Sequence, residues 1–199
     1  MADRVIQRTA TVEHRVDAIQ AALEAKGFKT AKAIEELTHK AQEEWIPQNG
    51  ARVVAKAWVD PEFRKRLLAN GRDAVAELGL ALPKHHRHLV VLENTLKVQN
   101  VICCTLCSCT AFTLIGLPPD WYKDLEYRSR VVRESRTVLK ELGLELEPGV
   151  EIRVWDTTAD TRYMVIPERP AGTEGWTEED LATAVTRDSM IGVARLGST

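Results

Sequence analysis

The four cysteines are the feature that most constrains this chain. All of them lie in the seven residues from 103 to 109, and no other position of the 199-residue sequence is a cysteine. A disulfide framework spreads its cysteines along the chain to join distant segments, which thiols this close together cannot do. The clustering therefore predicts a metal site or local redox chemistry.

Three of these cysteines, Cys104, Cys107 and Cys109, can reach one metal ion if the backbone curls tightly around it. Once Cys107 and Cys109 are bound, the amide nitrogens of Ser108 and Cys109 are held close to the ion, and a strongly Lewis-acidic trivalent metal can displace their protons. Three sulfurs and two nitrogens form a square pyramid, whose sixth position stays open for a substrate or water. We name residues 104–109 the claw.

The spacing alone leaves other kinds of site open. Structural zinc usually binds two separated cysteine pairs, and the sequence has no second pair. Cys103 is a possible fourth thiolate, but it neighbours Cys104 and should point to the opposite face of a strand. A redox pair of Cys104 and Cys107 leaves Cys109 unexplained. An iron–sulfur cluster normally draws a fourth cysteine from elsewhere in the chain.

Composition and charge narrow the class of protein. The chain is 44% hydrophobic and 28% charged, as in ordinary globular proteins, and its net charge of -2 includes no long run of one sign. No apolar stretch approaches the roughly 20 residues that span a bilayer. Residues 1–15 lack the apolar middle of a secretory signal. We expect a soluble cytoplasmic protein that binds neither nucleic acid nor membrane.

The first part of the chain has the spacing of amphipathic helices. Apolar side chains predict helices over residues 11–26 and 30–45, a break over 47–50, and further helices over 51–80. The apolar stripes of the first two helices need a surface to pack on, either the body of this chain or a partner. The basic run over residues 84–88 is interpreted as a solvated loop, because its three histidines are too closely spaced to converge easily on one ion.

The pattern changes near residue 88 to short segments typical of strands. Strands are expected at residues 88–93, 98–103, 150–155 and 162–166, with helices over 121–142 and 177–185. Asp60 before Pro61 is the expected N-cap of a helix within residues 51–80, and Thr177 with Asp180 resembles a capping box. These elements predict an α/β fold, more strictly α+β. A helical N-terminal arm of residues 1–80 precedes a compact layered catalytic domain of residues 81–199, which carries the claw.

Residues 101–109, Val-Ile-Cys-Cys-Thr-Leu-Cys-Ser-Cys, resemble the metal-binding signature of nitrile hydratase α subunits. The resemblance extends over about residues 45–192 and includes the segments 50–61, 116–123, 127–134, 169–176 and 186–192. The γ subunit of thiocyanate hydrolase, a close homologue of that family, has a similar claw.

This resemblance implies an enzyme that hydrates nitriles to amides at one non-corrin Co(III) ion, or alternatively Fe(III). The implied ligands are the sulfurs of Cys104, Cys107 and Cys109 with the backbone nitrogens of Ser108 and Cys109. By the same mapping Cys107 is a cysteine sulfinic acid and Cys109 a cysteine sulfenic acid. Cys107, Ser108 and Cys109 are the implied catalytic residues. Thr105 stands at the motif position where threonine accompanies cobalt.

The resemblance also implies partners. A β subunit is expected, in an αβ heterodimer or an α₂β₂ heterotetramer, and two of its arginines are expected to pair with the oxidised sulfurs. The substrate is a small nitrile, and a metallochaperone or activator protein is expected. We expect the nitrile to bind the open position directly, with the Cys109 sulfenate taking part. Attack by an activated water is the alternative.

Two other functions stay open. A thiocyanate hydrolase γ subunit would be expected to carry an extra positive charge in its pocket. A non-catalytic metal-binding or interaction subunit would bind the ion without hydrating nitriles.

Three segments depart from the family pattern. Thr110-Ala111-Phe112 stands where the family usually has Tyr or Thr, then Pro and Trp, so Phe112 should shorten a pocket wall. Residues 85–87 replace a usual Gln-Gly-Glu, and Cys103 a usual valine. We therefore expect an altered substrate preference and an altered hydrogen bond to the claw.

Overall fold

A computed structural model describes residues 11–197 of the chain. Residues 1–10, which make up most of the segment examined for a secretory signal, lie outside this description. The chain groups into two compact units, residues 1–43 and 44–199. This grouping places residues 44–80 with the second unit, and the functional division at residues 80 and 81 stays a prediction.

The first unit contains the two predicted helices of the arm. These are α1 (Val12–Glu24) and α2 (Thr30–His39), followed by a π-helical turn over Lys40–Glu44. Neither helix contains a buried residue. Apolar side chains of α1 and α2 instead line a groove between the two helices, among them Ile19 and Ile34, which are 60% and 52% exposed. These helices therefore present apolar surface without forming a core.

The second unit opens with three helices, as predicted for residues 51–80. They are α3 (Pro47–Val59), α4 (Pro61–Ala69) and α5 (Gly71–Glu77). The break expected over residues 47–50 is wrong, because Pro47 occupies the first turn of α3 and starts the helix; the interruption lies at residues 45–46. Asp60 accepts a hydrogen bond from the Phe63 amide and caps α4 as predicted. Asn70 both ends α4 and caps α5, so the helices follow without a linker.

Four strands form two parallel pairs. They are β1 (His88–Glu93), β2 (Val98–Cys103), β3 (Glu151–Asp156) and β4 (Thr161–Ile166), all within a residue of the predicted positions. In these pairs β1 lies beside β4 and β2 beside β3. Cys103 is opposite Asp156 at the carboxyl end of β2–β3, and His88 is opposite Thr161 at the amino end of β1–β4.

This topology brings several chain segments to one place. Only residues 157–160 separate β3 from β4, so β4 begins close to where β3 ends. The claw leaves the carboxyl end of β2, and the loop before β1 reaches the amino end of β4. The claw, the ends of two strands and the basic loop therefore converge at one region of the second unit.

The described residues after the claw form more helices than the two that were predicted. These helices are α6 (Phe112–Ile115), α7 (Asp120–Lys123), α8 (Leu125–Glu141), α9 (Glu178–Ala184) and α10 (Arg187–Ile191). The single helix expected over residues 121–142 is wrong, because Asp124 leaves the helical conformation and its side chain caps α8 through the Glu126 amide. The capping box predicted from Thr177 and Asp180 is confirmed at α9.

One apolar core joins strands and helices in the second unit. Its fully buried members include Phe63 of α4, Ile102 of β2, Tyr122 of α7 and Met164 of β4. Helices thus pack against short parallel strands, and the predicted mixed fold class is confirmed. Within residues 11–197, none of the helices has both the length and the apolar character required to cross a membrane.

Gly192 is required where α10 meets β2. Its φ is +92°, and a Cβ there would lie 1.9 Å from the carbonyl oxygen of Asn100. We predict that Gly192→Ala lowers the free energy of unfolding by more than about 3 kcal/mol, because the left-handed conformation costs roughly 1–2 kcal/mol and the backbone of β2 must also move. Urea unfolding followed by circular dichroism measures the difference.

Two glycines provide matched controls. Gly143 has the same φ of +92° but open space around it, and Gly149 has open space without a positive φ. Gly143→Ala should cost only about 1–2 kcal/mol, and Gly149→Ala should cost little. If Gly192→Ala and Gly143→Ala lowered the free energy of unfolding equally, the close approach of the β2 backbone to Gly192 would have no effect on stability.

Candidate metal centre

The three claw cysteines converge as their spacing predicts. The Sγ atoms of Cys104 and Cys107 are 3.4 Å apart, and those of Cys107 and Cys109 are 2.9 Å apart. All three sulfurs lie within 4.8 Å of one another. Among residues 11–197 these cysteines form the one group of three or more candidate ligands close enough to share an ion.

The sulfur positions fit a metal with right-angled coordination. Two sulfurs bound at roughly 2.3 Å from one ion are about 3.3 Å apart at a right angle and about 3.8 Å apart at the tetrahedral angle. The separations of 3.4 Å and 2.9 Å lie on the right-angled side. The three sulfurs are therefore spaced closely enough to share one ion.

Cys103 does not join the cluster. Its side chain is fully buried in the apolar core, and its sulfur is not among the three that lie within 4.8 Å of one another. Burial, with a further contribution from Asp156, raises the pKa of the Cys103 thiol to about 12. The fourth thiolate that a tetrahedral zinc site would need is therefore not supplied from this position.

The claw sulfurs differ in how readily they lose a proton. Burial acts to raise the pKa of Cys104, but hydrogen bonds from Thr157, Cys107 and the Cys109 amide outweigh it, and the pKa is lowered. Burial and the hydrogen bond with Cys107 raise the pKa of Cys109, against an opposing effect of the Arg162 charge. Of these two sulfurs, Cys104 is therefore the one that binds more readily as a thiolate.

Side chains from distant elements hold the claw backbone. Asp156, at the end of β3, accepts hydrogen bonds from the Thr105 amide at 2.9 Å and the Thr105 hydroxyl at 2.5 Å. Arg128 of α8 donates to the carbonyl oxygens of Cys104 and Thr105 at 2.9 Å and 2.8 Å. The Tyr122 hydroxyl donates to the carbonyl oxygen of Cys109 at 3.1 Å.

Sequence reasoning missed these three holding residues. The one available signal was the position of Asp156, a carboxylate at the carboxyl end of a strand, where functional groups of parallel sheets collect. Nothing in the local pattern distinguished Arg128 or Tyr122 from other residues of their helices.

A cavity of about 520 Å³ opens beside the claw. Ser108 and Cys109, two of the three predicted catalytic residues, lie in its wall, whereas Cys107 is not among its lining residues. Its lining is completed by residues of the basic loop, of α6 and α7, and of β4, among them His85, His86, Phe112, Lys123 and Arg162. The lining contains basic side chains and no carboxylate.

The interpretation of residues 84–88 as a solvated loop is wrong for one histidine. His86 is only 1% exposed, whereas His85 and His88 are exposed. The ring of His86 packs edge-on against Phe112, with centroids 5.2 Å apart, and Phe112 packs in turn on Trp45 at 4.6 Å. The wall that Phe112 was expected to shorten is therefore built from several rings.

Two buried polar atoms in this cavity wall have no hydrogen-bond partner among the described residues. They are Nδ1 of His86 and Nε of Arg162. Arg162 is 5% exposed, and its Nη1 donates to the carbonyl oxygen of Thr158. Burial, with the Arg162 charge, lowers the pKa of His86 to about 4. At neutral pH the cavity thus presents an uncharged imidazole beside a fixed guanidinium.

Comparison with known proteins decides the family. The family model described as nitrile hydratase, alpha chain, matches residues 10–194. The chain belongs to this family. It is 49% identical over 192 residues to the α subunit of the cobalt-containing nitrile hydratase of Pseudonocardia thermophila, with 96% of this chain and 93% of the relative covered.

Two further relatives bear on the kind of metal and substrate. A double mutant of the Fe-type nitrile hydratase from Comamonas testosteroni Ni1 matches with a TM-score of 0.90 and 56% identity, over 92% of this chain and 89% of that one. The γ subunit of thiocyanate hydrolase from Thiobacillus thioparus is 44% identical over 158 residues, which is 74% of this chain and 65% of the relative.

The burial of His86 gives a pH prediction. The pKa of His86 falls from an ordinary 6.5 to about 4 on folding, so between these values the unfolded chain binds the proton and the folded chain does not. Stability is therefore complete above about pH 6.5 and is lost as the pH falls toward 4, by up to about 3 kcal/mol. Urea unfolding of wild type and His86→Leu at several pH values tests this.

The His86→Leu variant should lose less stability than wild type over this interval, whatever its stability at neutral pH. The same substitution at the exposed His88 controls for the removal of a histidine as such. Parallel pH profiles for wild type and His86→Leu would contradict the prediction.

Proposed function

We propose that this α subunit hydrates nitriles to amides at a trivalent metal ion held by the claw. The convergence of three sulfurs on one short loop, with a cavity at their side, is the observation that carries the proposal. When bound, the ion supplies Lewis-acid polarisation of the nitrile. No oxidation or reduction is needed, because water adds across the carbon–nitrogen triple bond.

The residues of the claw have different proposed roles in metal binding and catalysis. The sulfurs of Cys104, Cys107 and Cys109 hold the ion, together with the backbone nitrogens of Ser108 and Cys109. Cys107 is proposed as a sulfinic acid and Cys109 as a sulfenic acid. Cys109 faces the cavity and presents its sulfenate oxygen as nucleophile or base, and the Ser108 hydroxyl lies in the same wall.

We propose cobalt as the ion. Thr105 and the cobalt-containing relatives support this choice, although the Fe-type relative at 56% identity keeps iron as the alternative. The Thr105 hydroxyl donates to Asp156. Residue 105 is therefore proposed to influence the bound ion indirectly, by fixing the conformation of the claw.

A β subunit completes the proposed enzyme, as an αβ heterodimer or an α₂β₂ heterotetramer. Leu106, at the tip of the claw, is 85% exposed, and Cys107 is exposed beside it. An apolar side chain and a reactive sulfur at one surface support a covering partner, whose arginines would pair with the oxidised sulfurs. The exposed apolar groove of α1 and α2 offers further surface for a partner. A metallochaperone or activator protein would load the ion.

Thiocyanate hydrolysis is the second candidate function. Arg162 lines the cavity without a carboxylate in the lining, which is the extra positive charge expected for an anionic substrate, whereas Lys123 is paired with Asp120. Measuring turnover of thiocyanate beside that of neutral nitriles distinguishes the two reactions. We predict that the neutral nitriles are converted faster, and a preference for thiocyanate would favour the second candidate.

The proposed metal site is tested on the complex copurified from coexpression with its β subunit. We predict one cobalt per α chain, two added oxygens on Cys107 and one on Cys109, and release of amide from nitriles. Cys104→Ala should abolish metal binding and turnover. Cys103→Ala, which removes a thiol outside the cluster, should keep both.

Three results would contradict this proposal. Zinc in the site would contradict the trivalent ion on which the proposed reaction depends. Tight cobalt without hydration of any nitrile would favour a non-catalytic interaction subunit. Full turnover by the isolated α chain would remove the need for the β subunit.

A further inference from the structure

Two charged side chains, those of Asp156 and Arg128, form hydrogen bonds with the first half of the claw. Asp156 accepts from the amide and the hydroxyl of Thr105, and Arg128 donates to the carbonyl oxygens on both sides of that amide. The peptide groups before and after Thr105 are therefore both fixed. We name the Asp156, Thr105 and Arg128 side chains the clamp.

The clamp restrains the part of the claw that packing does not hold. Thr105, Leu106 and Cys107 are all exposed, so apolar burial contributes little to their position. A loop without other restraints loses conformational entropy each time it closes around an ion. Hydrogen bonds to ionised groups are about twice as strong as neutral ones, and both ends of the clamp are of this kind.

The clamp also determines where the sulfurs point. Cys104 directly follows β2, and its backbone carbonyl is held by Arg128. The Cys107 amide then donates to the Cys104 sulfur at 3.3 Å, which folds the loop back on itself. Because Asp156 and Arg128 hold the backbone of Thr105, the loop is fixed in the shape that brings the sulfurs of Cys104 and Cys107 together.

We infer that Asp156 and Arg128 are positioning residues that keep the claw in its metal-binding shape, and that they set how slowly the bound ion is released. Thr105 connects Asp156 to the loop through its hydroxyl. The inference rests on the proposed metal-binding function. Partners of this kind behind a metal ligand typically change metal affinity by roughly 10–100-fold.

The test measures release of cobalt from the coexpressed αβ complex. Complexes are incubated with EDTA, and the cobalt that remains is followed by elemental analysis and by the sulfur-to-metal absorption band. We expect Asp156→Ala and Arg128→Met to release the ion roughly 10–100-fold faster than wild type. Thr105→Val, which removes only the hydroxyl from a side chain of the same shape, should share much of this effect.

Conservative and matched variants separate positioning from general destabilisation. Thr105→Ser keeps the hydroxyl and should release cobalt within about threefold of wild type, since its hydrogen bond to Asp156 is retained. Asp160→Asn, in the loop after β3, and Arg133→Met, on the exposed side of α8, remove charges that do not contact the claw. Both should release cobalt at the wild-type rate.

A double variant shows whether the pair acts as one unit. If Thr105 and Asp156 work through each other, Asp156→Ala combined with Thr105→Val is no faster than Asp156→Ala alone. Independent, multiplicative effects would overturn the inference, as would wild-type release rates for both Asp156→Ala and Thr105→Val in complexes that hold cobalt. A wild-type complex without any bound metal would overturn the proposed function together with the inference.

Discussion

The parallel pairing of β2 with β3 is the constraint on which the site depends. It places Cys103 opposite Asp156, so the residue directly before the claw and the carboxylate that holds the claw lie at the same end of the strand pair. Thr105 and Asp156 are 51 residues apart in the chain and touch only because of this register. A shift by one residue would turn the Asp156 side chain to the other face and leave the Thr105 amide without its acceptor.

The residues proposed to bind the ion and the residues that hold them in place come from different parts of the chain. The sulfur ligands come from one continuous hexapeptide, whereas the groups that hold it come from β3, α7 and α8. This separation allows the cavity wall to change while the claw stays the same. Two of the three departures from the family pattern, at Phe112 and His86, lie in the wall, and the third, Cys103, lies in the apolar core; the three proposed ligand positions keep their cysteines.

Local features could be predicted from the sequence, and long-range contacts could not. The claw is fixed by residue type and spacing within six positions, and the caps at Asp60 and Thr177 by neighbours three residues away. The interpretation of residues 84–88 as a solvated loop rests on histidines that are too closely spaced to share one ion, but this spacing does not show that His86 packs against Phe112, a residue distant in the sequence. The break at Asp124 escaped detection because the apolar spacing continues across it, while the cap depends on its own side chain.

Side chains on one side of the claw are buried and those on the other are exposed, which is consistent with a site that belongs to one subunit of a larger enzyme. Beneath the claw, Tyr122 and Cys103 are fully buried and His86 nearly so, whereas Leu106 above it is almost entirely exposed. Electrostatic interactions at a reacting centre strengthen when water is excluded, and this chain excludes water from one side only. The clustered sulfurs and the uncovered apolar tip above them therefore support the proposal that a partner subunit covers this face of the chain.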